Sequence, residues 1–320
     1  MEQRRLGATG VEVTRVILGC GNFGGVGSAP SFFGQGESEE EAFAIMDAAW
    51  ELGVRVFDTA DAYGGGRSET WIGRWLAARG HRPVLATKVF NSVVGDPQDR
   101  GLAPDRIRRQ IEGSLERLGV EGVDLYLIHA PDPDTPLAET LAAFAELVRA
   151  GKVGAIGASN VDRPYLEEAL AISEREGFPR FEWVQNSYSL LDREPEQGVL
   201  QFCAEHGLGF TPYSPLAGGW LTGKYARGKS YPAGSRMTQR PEPYTGFDDE
   251  RIWHGLDQLR AAAEERGDMA TLAFAWLLSN PAVTAVVVGP RRPEHLEPAR
   301  RALELELSQQ ERDELAGPFA

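Results

Sequence analysis

Apolar residues in this chain fall into short runs separated by amphipathic stretches. Runs rich in Val, Ile and Leu begin near Arg15, Val54, Val84, Val123, Val153, Trp183, Leu208 and Ala285. The stretches between carry apolar residues at helical spacing. Glu39 to Leu52 sets Ala42, Ile45, Met46 and Ala49 on one side. Pro104 to Leu118 does the same with Ile107, Ile111 and Leu115, and starts on a proline, whose missing N–H would be unsatisfied there anyway. Leu137 to Ala150 and Tyr165 to Glu176 follow the same rule. Gly53, Gly80, Gly119, Gly151, Gly177 and Gly207 close helical segments, where a residue tolerant of left-handed backbone is wanted. Strand and helix alternating at about thirty residues predict parallel strands joined by crossover helices. Eight such strands predict a closed (β/α)8 TIM barrel.

Two segments lie outside the repeat. Glu2 to Val13, with Gly7-Ala8-Thr9-Gly10 at its centre, predicts an N-terminal β-hairpin capping the barrel bottom. Between the seventh and eighth strands lies a connection of about seventy residues, long enough to be functional or mobile. Its Gly228 to Asp249 portion is rich in Pro, Gly and Arg. Glycine hinges with stiff prolines between them predict a lid there, carrying Arg236.

Length fits one barrel domain spanning residues 1–320. The net charge of −14, from 33 basic and 47 acidic side chains, argues against nucleic-acid binding, which needs a basic face. No apolar stretch reaches the roughly 18 to 20 residues of a membrane span. Met1-Glu2-Gln3-Arg4-Arg5 has no hydrophobic segment behind it, so no signal peptide is expected. Cys20 and Cys203, few and far apart, fit reduced thiols in a cytoplasmic protein. Oligomeric state is not readable from the pattern.

Chemistry concentrates at the strand tips. Asp58 ends the Val54 run, Lys88 ends the Val84 run and His129 ends the Leu125 run, while Tyr63 sits five residues after Asp58. Barrel enzymes work at the C-terminal ends of their strands, so these four groups are expected in one cleft. A tyrosine is a weak acid, with a free pKa of about 10. Lys88 is expected to pull it toward the working range, Asp58 to hold Lys88, and His129 to orient a carbonyl oxygen. Such a set moves a proton at oxygen, and hydride transfer from a bound cofactor is its natural complement at carbon. Gly19-Cys20-Gly21-Asn22-Phe23-Gly24 matches the dinucleotide fingerprint, but no helix can open before about Ser38. It is expected instead to be a glycine-rich loop shaping a substrate pocket with Phe23, Phe32 and Phe33, to which Phe90 and Trp220 are added. A metal-dependent barrel hydrolase needs a His-x-His pair on the first strand, and Val16-Ile17-Leu18-Gly19 has none, so no metal site is expected.

Asp58-Thr59-Ala60-Asp61-Ala62-Tyr63-Gly64, with Ser68-Glu69 following, resembles the aldo-keto reductase signature. Ala86-Thr87-Lys88, Leu127-Ile128-His129, Gly157-Ala158-Ser159-Asn160, Val184-Gln185-Asn186 and Tyr213-Ser214-Pro215-Leu216 extend the resemblance, in order, from about Arg5 to Leu305. The resemblance implies a (β/α)8 barrel that reduces small-molecule carbonyls with NADPH, returning NADP+. It makes Tyr63 the general acid, tuned by Lys88 and Asp58, with His129 orienting the carbonyl. It gives the nicotinamide carboxamide to Ser159, Asn160 and Gln185, and the ring face to Tyr213. It gives the pyrophosphate to Ser214, Leu216 and Lys224 around Pro215, and makes Arg236 an arginine of the closing seventh loop. Gly289 to Leu296 resembles the adenosine-phosphate segment, with Arg291 meeting the 2′-phosphate and His295 standing where glutamine is common. The stretch Glu294 to Ala302 is expected to be one helix presenting its N-terminus to phosphate. Pro298-Ala299 departs from the Glu-Asn that usually contacts adenine. The same barrel also serves as a nucleotide-binding regulatory subunit in potassium-channel β subunits. Those members commonly carry asparagine at the position of His129, so histidine here favours catalysis.

Overall fold

The computed structural model describes residues 1–319. A two-stranded antiparallel hairpin, β1 (Gln3–Arg5) and β2 (Glu12–Thr14), precedes the barrel, with Arg4 opposite Val13. The barrel strands are β3 (Val16–Gly19), β4 (Val56–Asp58), β5 (Val84–Val89), β6 (Val123–Ile128), β7 (Val153–Ser159), β8 (Phe181–Gln185), β9 (Gly209–Phe210) and β10 (Val286–Val288). All pairings from β10 through β3 to β9 are parallel. Closure between β9 and β10 is carried by Thr284 N donating to Phe210 O at 2.8 Å and Val287 N donating to Pro212 O at 2.9 Å. The (β/α)8 barrel read from the pattern is therefore the fold.

Helices α1 (Glu39–Glu51), α2 (Arg67–Arg79), α3 (Pro104–Leu118), α4 (Leu137–Arg149), α5 (Arg163–Glu176) and α6 (Val199–His206) fill the crossovers. Each expected apolar face is the buried one, as with Ala42, Ile45, Met46 and Ala49 of α1. Ser38 caps α1 through a reciprocal exchange with Glu41, satisfying two orphan donors. That cap fixes where the first long loop stops, after the glycine-rich stretch and not within it.

Alternation along the strands separates two packed layers. Ile17, Val56, Ala86, Leu125, Leu127, Trp183 and Val287 pack together inside the barrel, with Leu6 and Val13 of the hairpin closing one end. Val16, Leu18, Phe57, Tyr126 and Ile128 point outward to the helix layer. The hairpin thus plugs the end opposite the strand tips.

The long seventh connection is more structured than its composition predicts. It holds α7 (Arg236–Gln239), α8 (Glu250–Ala263) and α9 (Met269–Leu278). All ten residues of α9 are buried, so it shows no polar face to betray its period. The stretch expected as one helix from Glu294 is two pieces, a 3-10 turn at Pro293–Leu296 and then α10 (Glu297–Ala302). Prolines 293 and 298 each begin a piece, since neither can donate within a continuing helix. After α11 (Gln309–Ala316) comes a 3-10 turn at Gly317–Phe319. Among the described residues, no helix is long and apolar enough to cross a membrane.

Candidate active site

Asp58 ends β4 and Lys88 is the last residue but one of β5, and both lie at the barrel mouth. Lys88 Nζ donates to both Asp58 oxygens at 2.7 Å and to Thr59 O at 2.9 Å, fully buried. Gln185 Nε2 donates to Asp58 Oδ1 at 3.1 Å from across the barrel. Tyr63 stands in the loop after β4, half-buried, with Lys88 Nζ 5.2 Å from its ring centre. Its hydroxyl lies 3.4 Å from His129 Nε2. The four strand-tip groups therefore meet in one cleft.

Their protonation states follow from burial and neighbours. Burial pulls Lys88 down, but Asp58 and Tyr63 outweigh it and hold the ammonium above its ordinary range. Burial pushes the Tyr63 phenol up, and Lys88 only partly offsets this, so the phenol lies above its ordinary range and not below it as the sequence suggests. Burial, then Lys88, lowers His129 to about 3, leaving a neutral imidazole.

A second set of groups lines the mouth beside this cleft. Asn160 Nδ2 donates to His129 O at 2.8 Å, and Tyr213 Oη donates to Asn160 Oδ1 at 2.6 Å. Ser159 Oγ donates to Gln185 O at 2.7 Å. Asn160, Ser214 and Ala217 hold φ of 59°, 52° and 47°, a costly backbone for non-glycine residues that clusters at ligand sites. Pro215 is buried and Leu216 half-buried in the same turn. Gly218 and Gly219 also have positive φ, and the space a Cβ would take is filled by the Tyr244 ring and by Lys224 Nζ. Partial desolvation, then Arg236 and Arg291, hold Lys224 below its ordinary range. Cations gathered without a carboxylate for each fit a multiply charged anion better than they fit one another. His295 is exposed beside Arg291, its Nδ1 accepting from Arg291 N at 3.3 Å, and Gly289 is exposed at the tip of β10.

Arg236 donates to Asn22 Oδ1 and Arg240 Nη1 to Val26 O at 3.4 Å, so the seventh loop lies across the first. Gly21 approaches Tyr63 closely: a Cβ there would sit 3.5 Å from its ring.

The expected aromatic pocket is only partly assembled. Phe33 packs over Gly65, and Phe90 lies under Arg100, 5.0 Å from its guanidinium carbon. Phe23 is not at the cleft. It is fully buried, its N–H donating to Cys20 O at 3.1 Å and its ring packed in the helix-facing core. Trp220 is likewise withdrawn into an aromatic cluster, with ring centres 5.0 Å from Trp253 and 5.3 Å from Tyr225.

The model of the Aldo/keto reductase family matches residues 15–317. The chain belongs to that family. It is 39% identical to an uncharacterised oxidoreductase, YrpG, of Bacillus subtilis, over 97% of this chain and 93% of the relative. It is 32% identical to the NADH-specific methylglyoxal reductase of Escherichia coli, covering 96% and 95%. It is also 32% identical to a probable voltage-gated potassium channel subunit beta of rice, covering 95% and 92%.

Within this aldo/keto reductase, the signature residues behind the cleft have visible work. Ser68 Oγ bonds Thr59 Oγ1 at 2.8 Å and donates to Cys20 O at 3.0 Å. Buried Glu69 accepts from Thr87 Oγ1 at 2.5 Å and from Arg117 Nε at 2.7 Å. These bonds tie the loop carrying Tyr63 to the strands carrying Asp58 and Lys88. One cleft residue was not visible in the sequence: Asn91, whose Nδ2 donates to His129 Nδ1 at 3.3 Å. A polar residue three past Lys88 carries no pattern of its own. Since Nδ1 accepts, the imidazole proton sits on Nε2, facing the Tyr63 hydroxyl. Among the described residues, no group of three or more His, Cys, Asp or Glu side chains is placed to hold a metal ion.

Proposed function

We propose that this aldo/keto reductase reduces small-molecule aldehydes or ketones to alcohols with NADPH. The observation that carries the reading is the juxtaposition of two proton donors, the Tyr63 hydroxyl and His129 Nε2, 3.4 Å apart at the cleft. A carbonyl oxygen between them would meet both at once. A bound nicotinamide cofactor supplies hydride to the carbon. Tyr63 then gives its proton to the oxygen as charge develops there. Lys88, held charged by Asp58, balances the phenolate left behind. His129, neutral and donating through Nε2, orients the oxygen and shares its charge. An ionised tyrosine could not donate, so a phenol kept above its ordinary range suits reduction at neutral pH.

Ser159, Asn160 and Gln185 are the groups for the carboxamide, and Tyr213 is the platform for the nicotinamide ring. Ser214, Leu216, Lys224 and Arg236 are the groups for the pyrophosphate, with Arg291 for the 2′-phosphate. The choice of NADPH rests on Arg291, because a guanidinium matches a phosphate by paired hydrogen bonds. Arg291→Ala is expected to weaken NADP+ binding by about 1 to 3 kcal/mol while leaving NAD+ binding nearly unchanged. Titrations with both dinucleotides would check this, and an unaltered ratio of affinities would remove Arg291 from the role.

The direct test of the activity is NADPH oxidation against a panel of aldehydes and ketones. Turnover of several supports reduction. Tight dinucleotide binding without turnover of any supports the second reading, a regulatory subunit like the channel β relatives. His129, a donor aimed at the cleft, favours the first.

A further inference from the structure

Glu37 is the carboxylate set among the cations of the cofactor mouth. It closes the first loop, one residue before the Ser38 cap, and its backbone is pinned on both sides. Its N–H donates to Asn22 O at 2.9 Å, and its carbonyl accepts from Gly24 N at 3.0 Å. Gly36 before it has no space for a side chain against Asn22 O and Gly25 O. The Glu37 side chain is therefore directed, and it is 3% exposed. Oε1 accepts from Arg291 Nε at 2.5 Å, while Oε2 is buried without a hydrogen-bond partner.

Arg291 is engaged on its other edge as well. Its Nη1 donates to Gly234 O at 2.5 Å and to Gln239 Oε1 at 3.1 Å. Two-point recognition of a phosphate uses a neighbouring pair of N–H groups, either Nε with Nη2 or the two Nη. In the free protein one member of each pair is already taken. A phosphate reaching Arg291 must displace these partners and lie against a carboxylate of like charge. A 2′-hydroxyl brings no charge, and it offers a carboxylate a proton.

We propose that Glu37 is a specificity-determining residue. By occupying Arg291 it holds down the preference for a 2′-phosphorylated cofactor over its 2′-hydroxyl counterpart. This rests on the assignment of Arg291 to the 2′-phosphate above, and it deepens that assignment. The buried setting agrees with it. Burial pushes Glu37 above its ordinary range, although Arg291 and Arg236 pull the other way. A second anion close by adds to a charge already disfavoured there.

The test is dissociation constants of the full chain for NADP+ and NAD+, read by quenching of tryptophan fluorescence. Glu37→Gln keeps shape and removes charge. It should tighten NADP+ binding by about tenfold, the order expected when a like-charge contact is relieved, and leave NAD+ essentially unchanged. In the Arg291→Ala background the selective gain should shrink, because only the direct like-charge part of the effect remains. Glu37→Ala should give the same sign as Glu37→Gln, and an unshifted melting temperature guards against a folding artefact. Equal shifts for both dinucleotides, or weaker NADP+ binding, would overturn the proposal alone. A parent protein that binds neither dinucleotide would overturn the cofactor reading beneath it, and the proposal with it.

Discussion

Replacing Tyr63 with phenylalanine is expected to leave NADPH binding intact and to lower turnover by about two to four orders of magnitude, the usual worth of a positioned general acid. The substitution removes one oxygen and keeps the ring, which Gly21 approaches on one face and Lys88 on another. Lys88 keeps its three contacts to Asp58 and Thr59, so the ammonium stays partnered. The side chains proposed for the cofactor, Ser159, Asn160 and Tyr213, are bonded in a chain that reaches Gln185 O and His129 O, and none depends on the phenol. Loss of turnover with unchanged binding is thus the specific signature. The pH profile adds a second reading. Because burial holds the Tyr63 phenol above its ordinary range, the parent should not lose reductase activity through this group anywhere near neutral pH. His129, lowered to about 3, should not contribute an inflection between pH 5 and 8 either. Single-turnover measurements with saturating NADPH would check both points. A phenylalanine variant that reduces aldehydes at the parent rate would show that the assigned acid is wrong.

How much of this was legible beforehand depended on whether a residue sat on a regular element. Asp58, Lys88 and His129 each end an apolar strand, so the barrel rule alone placed them together. Four of the crossover helices, α1, α3, α4 and α5, were readable because each buries one stripe. Helix α9 was not, since residues buried all round leave no period. Glu37 and Asn91 escaped for a different reason. Each is an ordinary polar residue in a loop, and its direction is set by contacts with residues distant in sequence, Arg291 and His129. Trp220 was misplaced by the same limit: an aromatic after a strand can face the mouth or the helix layer, and here four aromatic neighbours draw it into the latter. The direction of the Tyr63 shift was misjudged because a sequence shows the presence of Lys88 but not the burial that opposes it.

The buried Lys88–Asp58 pair should be the most costly contact in the cleft to break from one side. Asp58→Asn is expected to destabilise the protein by about 3 to 5 kcal/mol at neutral pH, the range for leaving a buried charge without its counter-ion. It removes the charge that opposes desolvation of Lys88, and it alters the acceptor used by Gln185. The pH dependence of stability should change sign with it. In the parent, Lys88 lies above its ordinary value of about 10.4. The folded state then binds the extra proton, and its contribution is complete below that value and lost as pH rises through the folded one. In Asp58→Asn, burial is opposed only by Tyr63 and is expected to drive the folded Lys88 below about 10.4. The unfolded state then binds more protons between the two values, so stability should rise with pH across that window. Adding Lys88→Met removes the stranded charge and should recover most of the lost stability, since replacing both members of a buried pair is far cheaper than removing one. It should not recover turnover, because nothing then balances the Tyr63 phenolate. Urea unfolding of the parent, the single variant and the double variant between pH 6 and 10 gives all three results. A single variant as stable as the parent, or one whose stability falls with pH over this range, would mean that the pair is not what keeps Lys88 charged.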